Sequence, residues 1–127
     1  RVPIMFSIMP PTVAKIESGA LRGLGVTGSV RTAAVPDVPT IAEAGVPGYE
    51  APSWFVFAFP AKTPKKIVER MNAEINKVLK NPKVKERFAK LGLTLAGGSV
   101  DRVSKFVVAE RKKWGQVVKK AGLKPLD

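Results

Sequence analysis

The hydroxyl side chains of Ser7, Thr27, Ser29 and Ser53 and the indole of Trp54 are the groups in this sequence best suited to hold a small ligand. Each lies at or near the end of an expected β-strand, where α/β folds commonly present polar groups to a bound molecule. Each also has a plain structural reading. A serine or threonine there caps a helix or satisfies a turn, and an aromatic opening an apolar strand packs into a core. Gly23-Leu24-Gly25-Val26-Thr27-Gly28 matches the G-x-G-x-x-G spacing that elsewhere lets a backbone approach a pyrophosphate. The context does not fit, because such glycines follow a strand and open a helix, whereas these lie within or at the end of an expected strand. They are read as glycines that permit close packing.

Catalytic chemistry has little to work with. The sequence contains no His and no Cys, which excludes imidazole bases, thiolate nucleophiles, disulfides and His-based metal sites. Asp37, Glu43 and Glu50 are carboxylates that no helical or strand register fixes into an acid/base pair, and they are read as surface charge. The expectation is a non-enzyme with no catalytic residue, metal or cofactor.

The formal charge of +12 raises nucleic-acid binding, since clustered Lys and Arg attract phosphate through counterion release. Between Lys62 and Lys90 ten basic residues stand against three acidic ones, but most fall on the polar side of helical periods. No zinc-finger spacing, helix-turn-helix or aromatic-basic RNA motif accompanies them. A solvated cationic surface is the reading, and nucleic acid is not an expected partner. A basic module for nucleic acid or an acidic partner stands as one alternative, and self-association through exposed edges as another.

The elements that must position these groups follow from periodicity. A chain of 127 residues suits one compact domain, and its apolar residues fall in periodic blocks. Residues 2–6 read as a short buried strand, and Pro10-Pro11 opens a short helix with Val13 and Ile16 on one side, stopped by Gly19. Residues 21–27 read as a second strand, completing a βαβ shape. Residues 29–50 are a connector with little core of its own and room for one short helix at 40–44. Residues 54–59 are apolar at every position, as in a strand covered on both faces, and Pro60 ends it. Three helices follow. Thr63-Pro64 starts one along which Ile67, Val68, Met71, Ile75, Val78 and Leu79 recur; Asn81-Pro82 starts a second that Gly92 ends; Ser99 caps a third with a buried stripe that includes Trp114. Residues 93–95 add a small strand, and Gly122 and Pro125 close the last helix.

No run of about 18 uncharged apolar residues exists, so no membrane span is expected. The sequence opens at Arg1 without a Met, on a strand-like run, and upstream sequence is expected to belong to it.

Pro36-Asp37-Val38-Pro39-Thr40-Ile41-Ala42-Glu43-Ala44-Gly45-Val46-Pro47-Gly48-Tyr49-Glu50, the apolar run at 54–59, Lys62-Thr63-Pro64 and Asn72-Ala73-Glu74-Ile75-Asn76 occur in that order. Together they resemble the solute-binding proteins of tripartite tricarboxylate transporters, the Bug family. The resemblance implies an α/β, two-lobe periplasmic-binding-protein fold of which this is roughly the last two-fifths, on general domain-size grounds. It implies a receptor that closes on a small organic acid or other carboxylate and delivers it to membrane transporter subunits. Residues 1–52 would be the end of the second lobe, 53–60 the hinge strand, and 61–127 the C-terminal helical part of the first lobe. The loop that grips the carboxylate in the family would lie outside this sequence. Many relatives carry Asp where this chain has Ser7, which implies a plain organic acid over an amino acid.

Overall fold

Helix boundaries in this chain are written mainly by proline, asparagine and serine. The computed structural model describes residues 3–124, so Val2 and Pro125, named above at a strand start and a helix end, lie outside the described residues. Among the described residues there are four helices: α1 (Val13–Glu17), α2 (Lys65–Lys80), α3 (Pro82–Lys90) and α4 (Val100–Lys120). At α3 the Asn81 side chain accepts a 2.9 Å hydrogen bond from the Lys83 N–H, and Pro82 occupies the first position, where a missing N–H costs nothing. At α4 Ser99 accepts from the Arg102 N–H at 3.2 Å, while Lys119 and Lys120 sit in the last turn, where cations suit the helix dipole. Helix α2 starts one residue beyond the expected point. The Pro64 carbonyl accepts from Ile67 and Val68, so Pro64 precedes the first helical residue. Helix α3 ends in a two-bond closure, Leu93 N–H to Phe88 O and Gly92 N–H to Ala89 O, both 2.9 Å.

The three C-terminal helices are as expected; the short strands are not formed. Among the described residues, the only β pairing is an isolated parallel bridge between Val26 and Thr40, with Val26 N–H to Pro39 O at 2.8 Å and Ile41 N–H to Val26 O at 3.0 Å. The described part of 2–6, and residues 54–59 and 93–95, enter no ladder, and residues 21–27 pair only at Val26. A strand is defined by hydrogen bonds to a neighbour, and these segments have no neighbouring strand here. Their side chains show the consequence: Phe6 is 84% exposed, Phe57 80% and Phe55 72%.

Two compact units are present, one running to Phe55 and including Val78–Ala96, the other formed by Val56–Lys77 and the chain from Gly97 onward. The first unit contains the buried cluster of Val26, Val35 and Val38, against which Met9 and Ile16 pack. The proline-rich segment is therefore the core of this unit and not a connector lacking one. Small β-branched residues between prolines fill the space, and the close approach is built into Gly23, where a Cβ would come within 2.6 Å of a Val38 methyl. The close-packing reading of that glycine is correct.

In the second unit α2 and the turn before α4 are joined through two asparagines one helical turn apart. Asn76 accepts from the Gly98 N–H at 2.9 Å and donates to the Gly98 carbonyl at 2.9 Å, and Asn72 donates to the same carbonyl at 2.9 Å. The expected buried stripes of α2 and α4 are amphipathic but not enclosed, and neither helix has a buried residue. Trp114 is half-exposed, with its Nε1 donating to Glu110 at 3.0 Å.

Candidate functional site

Polar order in the first unit is concentrated around Thr40, which is 2% exposed. Its hydroxyl accepts from the Glu43 N–H at 3.0 Å, and the Glu43 carboxylate accepts from the Thr40 N–H at 2.7 Å. This is a reciprocal capping box on the short turn at 40–43. Arg31 completes it: Nε donates to the same Glu43 oxygen at 2.9 Å, and Nη1 donates to the Pro36 carbonyl at 3.2 Å. One guanidinium thus ties both ends of the proline-rich segment, using the fork geometry that a lysine lacks.

Glu43 is accordingly not a bare surface charge. The Thr40 N–H, and secondarily the Arg31 guanidinium, hold its carboxyl below the usual carboxylate range. A depressed folded pKa means that the stabilisation is present above the ordinary carboxylate pKa and is lost as pH falls through the folded value. The melting temperature should therefore fall more steeply for the natural chain than for Glu43→Gln between about pH 5 and pH 2, the region in which carboxylates titrate. Parallel pH profiles would count against this role for Glu43.

Beside this network lies a shallow cleft of about 320 Å³, with Arg31, Thr32, Lys85, Ala89, Thr94 and Leu95 among its walls. A second, of about 530 Å³, opens near Glu17, Ala34 and Lys90. None of the five hydroxyl and indole candidates lines either cleft. Ser7 is exposed, its Oγ donating to the Ile8 carbonyl at 3.2 Å. Thr27 is half-buried, and Ser29 and Ser53 are exposed. The Ala51 N–H donates to the Thr27 carbonyl at 2.9 Å, which brings the segment carrying Ser53 and Trp54 alongside the one carrying Thr27 and Ser29. Arg31 and Thr40 were missed by reading single residues for chemistry, although the T-x-x-E spacing at 40–43 announced the cap. Among the described residues no group of acidic side chains could hold a metal, and no helix is long and apolar enough to cross a membrane.

The cations are mostly solvated. Lys65–Glu69, Lys77–Glu74, Lys90–Glu86 and Lys105–Asp101 are exposed pairs at helical spacing, where water screens the attraction and little stability results.

The chain matches periplasmic binding proteins, a two-lobe class of receptor, over most of its length. The structure titled R. palustris Rpa4515 with adipate matches with a TM-score of 0.84 at 37% identity, over 93% of this chain and 40% of that one. The periplasmic binding protein BugD matches with a TM-score of 0.80 at 30% identity, over 89% of this chain and 38% of that one. The model of the tripartite tricarboxylate transporter family receptor matches residues 1–123, and the chain belongs to that family. Its curated relatives include Protein BugT of Bordetella pertussis, 37% identical over 116 residues, which are 91% of this chain and 36% of BugT. The chain thus spans well under half the length of BugT and of these two structures. The family consists of binding receptors and not enzymes.

Proposed function

We propose that the chain forms part of a periplasmic receptor that closes around a small carboxylate-bearing solute and hands it to the membrane subunits of a tripartite tricarboxylate transporter. The observation that carries this reading is the family match across residues 1–123. The similarity to a protein crystallised with adipate adds a dicarboxylate as the solute class to try first. On this reading residues 1–52 close the second lobe, 53–60 form the hinge, and 61–127 return to the first lobe. Ser7, Thr27, Ser29, Ser53 and Trp54 face the solute. Their hydroxyls and indole N–H can donate to carboxylate oxygens without bringing a competing negative charge. Ser7 offers a ligand ammonium no counter-ion, which favours a plain organic acid over an amino acid.

Calorimetry tests this on the R. palustris relative with its matched segment exchanged for this chain, titrated with adipate, succinate and aspartate. The hybrid is expected to bind a dicarboxylate, with succinate preferred over aspartate by about tenfold or more, roughly 1.4 kcal/mol. Ser7→Asp is expected to narrow that preference. Tighter binding of aspartate than of succinate would sink the Ser7 assignment, and binding of none of the three would sink the carboxylate reading. The chain alone is expected to bind about 100-fold more weakly, because only part of the clamp is present.

A further inference from the structure

The last part of α4 and the residues after it carry a charge that the surrounding fold does not balance. From residue 111 to residue 124 stand six cations, Arg111, Lys112, Lys113, Lys119, Lys120 and Lys124, and no carboxylate. Lys113 reaches Glu110 at 3.7 Å, while the other five are exposed and make no ion pair among the described residues. The first half of α4 differs, since Lys105 there bonds Asp101 at 2.8 Å. Like charges within one turn of a helix repel, a cost that nothing in the described fold returns. Further chain packed on this helix would not hide the imbalance. The face suited to packing is the apolar stripe with Trp114, Val117 and Val118, whereas Lys112 and Lys119, seven residues or about two turns apart, lie on the opposite side. Lysine and arginine are almost never fully buried unless paired.

We infer that this end of α4 docks on an anionic phospholipid surface. Two observations select that partner. The charge is complementary: a cluster of about four to eight Lys or Arg on an amphipathic helix suffices to hold it at an anionic bilayer, each cation adding about fivefold to binding. The kind of cation also matters. Five of the six are lysines, compact hydrated charges without the rigid fork by which arginine grips one carboxylate, so they suit a fluid field of headgroups better than a single shaped protein site. Attraction of this kind weakens with salt and is reversible, which fits a receptor that arrives at a membrane and leaves it. The inference takes from the receptor reading only the need to reach a transporter in the bilayer, and it is independent of the solute.

Sedimentation with vesicles tests it. The chain should bind vesicles of about 30% phosphatidylglycerol in phosphatidylcholine at about 50 mM salt, lose at least about tenfold in affinity at about 500 mM, and ignore pure phosphatidylcholine. Replacing Lys112, Lys119 and Lys120 together by glutamine, which keeps helix propensity, should weaken binding about 100-fold. The matched control replaces Lys66, Lys83 and Lys85 by glutamine; it removes the same charge elsewhere and should weaken binding by less than about threefold. Circular dichroism verifies that both triple variants keep their helices. Equal losses from the two triples would make net charge the only cause and overturn the inference, as would binding indifferent to phosphatidylglycerol. Tighter binding to an acidic peptide or to duplex DNA than to the vesicles, at about 150 mM salt, would name a different partner and overturn it too. The R. palustris hybrid shows whether the surface stays open in a whole receptor. Its vesicle binding should also fall about 100-fold with the α4 triple, and an unchanged hybrid would overturn the inference. Vesicle binding is read without solute and the calorimetry without vesicles, so failure of one reading is distinct from failure of the other.

Discussion

Replacing Gly92 by alanine is expected to lower the urea midpoint of the chain by about 1–2 M, taking an m-value of about 2 kcal/mol/M. Two penalties add. Gly92 has φ +69°, a left-handed conformation that costs an L-residue roughly 1–2 kcal/mol. A Cβ there would also collide with the Met9 side chain and press to 3.4 Å from the Thr32 hydroxyl, an overpacking worth about 1–3 kcal/mol. Met9 belongs to the group packed against the valine cluster, so it cannot retreat without disturbing Val26, Val35 and Val38. A double-mutant cycle separates the two penalties. Pairing Gly92→Ala with Met9→Ala should recover the crowding cost and leave the backbone cost in place. Full recovery in the double mutant would show that the left-handed φ carries no cost, and no loss in the single mutant would remove the role given to Gly92.

Asn76→Ala is expected to destabilise the chain by about 2–3 kcal/mol, because it strips both hydrogen bonds to Gly98 and the donation to the Asn72 carbonyl, and leaves the Gly98 N–H without its acceptor. Asn72→Ala should cost about 1 kcal/mol or less, since the Gly98 carbonyl keeps Asn76 as a donor. Urea unfolding followed by circular dichroism gives both values, and amide exchange at Gly98 supplies the local check. Faster exchange at Gly98 in Asn76→Ala but not in Asn72→Ala is the expected pattern. Equal effects from the two substitutions would show that helix propensity, and not the clamp on the turn, sets the cost.

How far the fold could be read from the sequence depended on the range of the interactions involved. The starts of helices α3 and α4 were legible to the residue because Asn81-Pro82 and Ser99 act within three positions of themselves. The four strands were not, since an apolar alternating or continuous run states only that a segment is suited to pairing. The partner is a distant stretch of chain, and none is present for residues 54–59 among those described. Prolines and glycines at 36–48 signalled a connector, yet Val35 and Val38, on either side of Pro36, are buried, because turns can fold small side chains inward as well as span distance. In the second unit the Asn72 and Asn76 pair was visible as a motif without a purpose, which the Gly98 contact now supplies. Glu43 is an exposed charge, as expected, but its partners were not legible, because they are a backbone N–H three residues earlier and a guanidinium twelve residues earlier, and no single-residue reading reaches that far. The hydroxyl candidates were placed by strand-end logic, and with those strands unpaired they remain positions to be tested by solute binding.

The Arg31 bonds to Pro36 and Glu43 also bear on where this gene tolerates being interrupted. Composition marks residues 36–50 as the natural seam for a recombination breakpoint, an insertion or a truncation, being rich in proline and glycine between two apolar runs. The guanidinium makes that seam a closed loop, pinned at two points and drawn over buried valines. Joining halves of related receptors there would pair an arginine from one parent with a carboxylate and a proline carbonyl from the other. Crossovers should therefore survive best outside residues 31–43, which are inherited as a block.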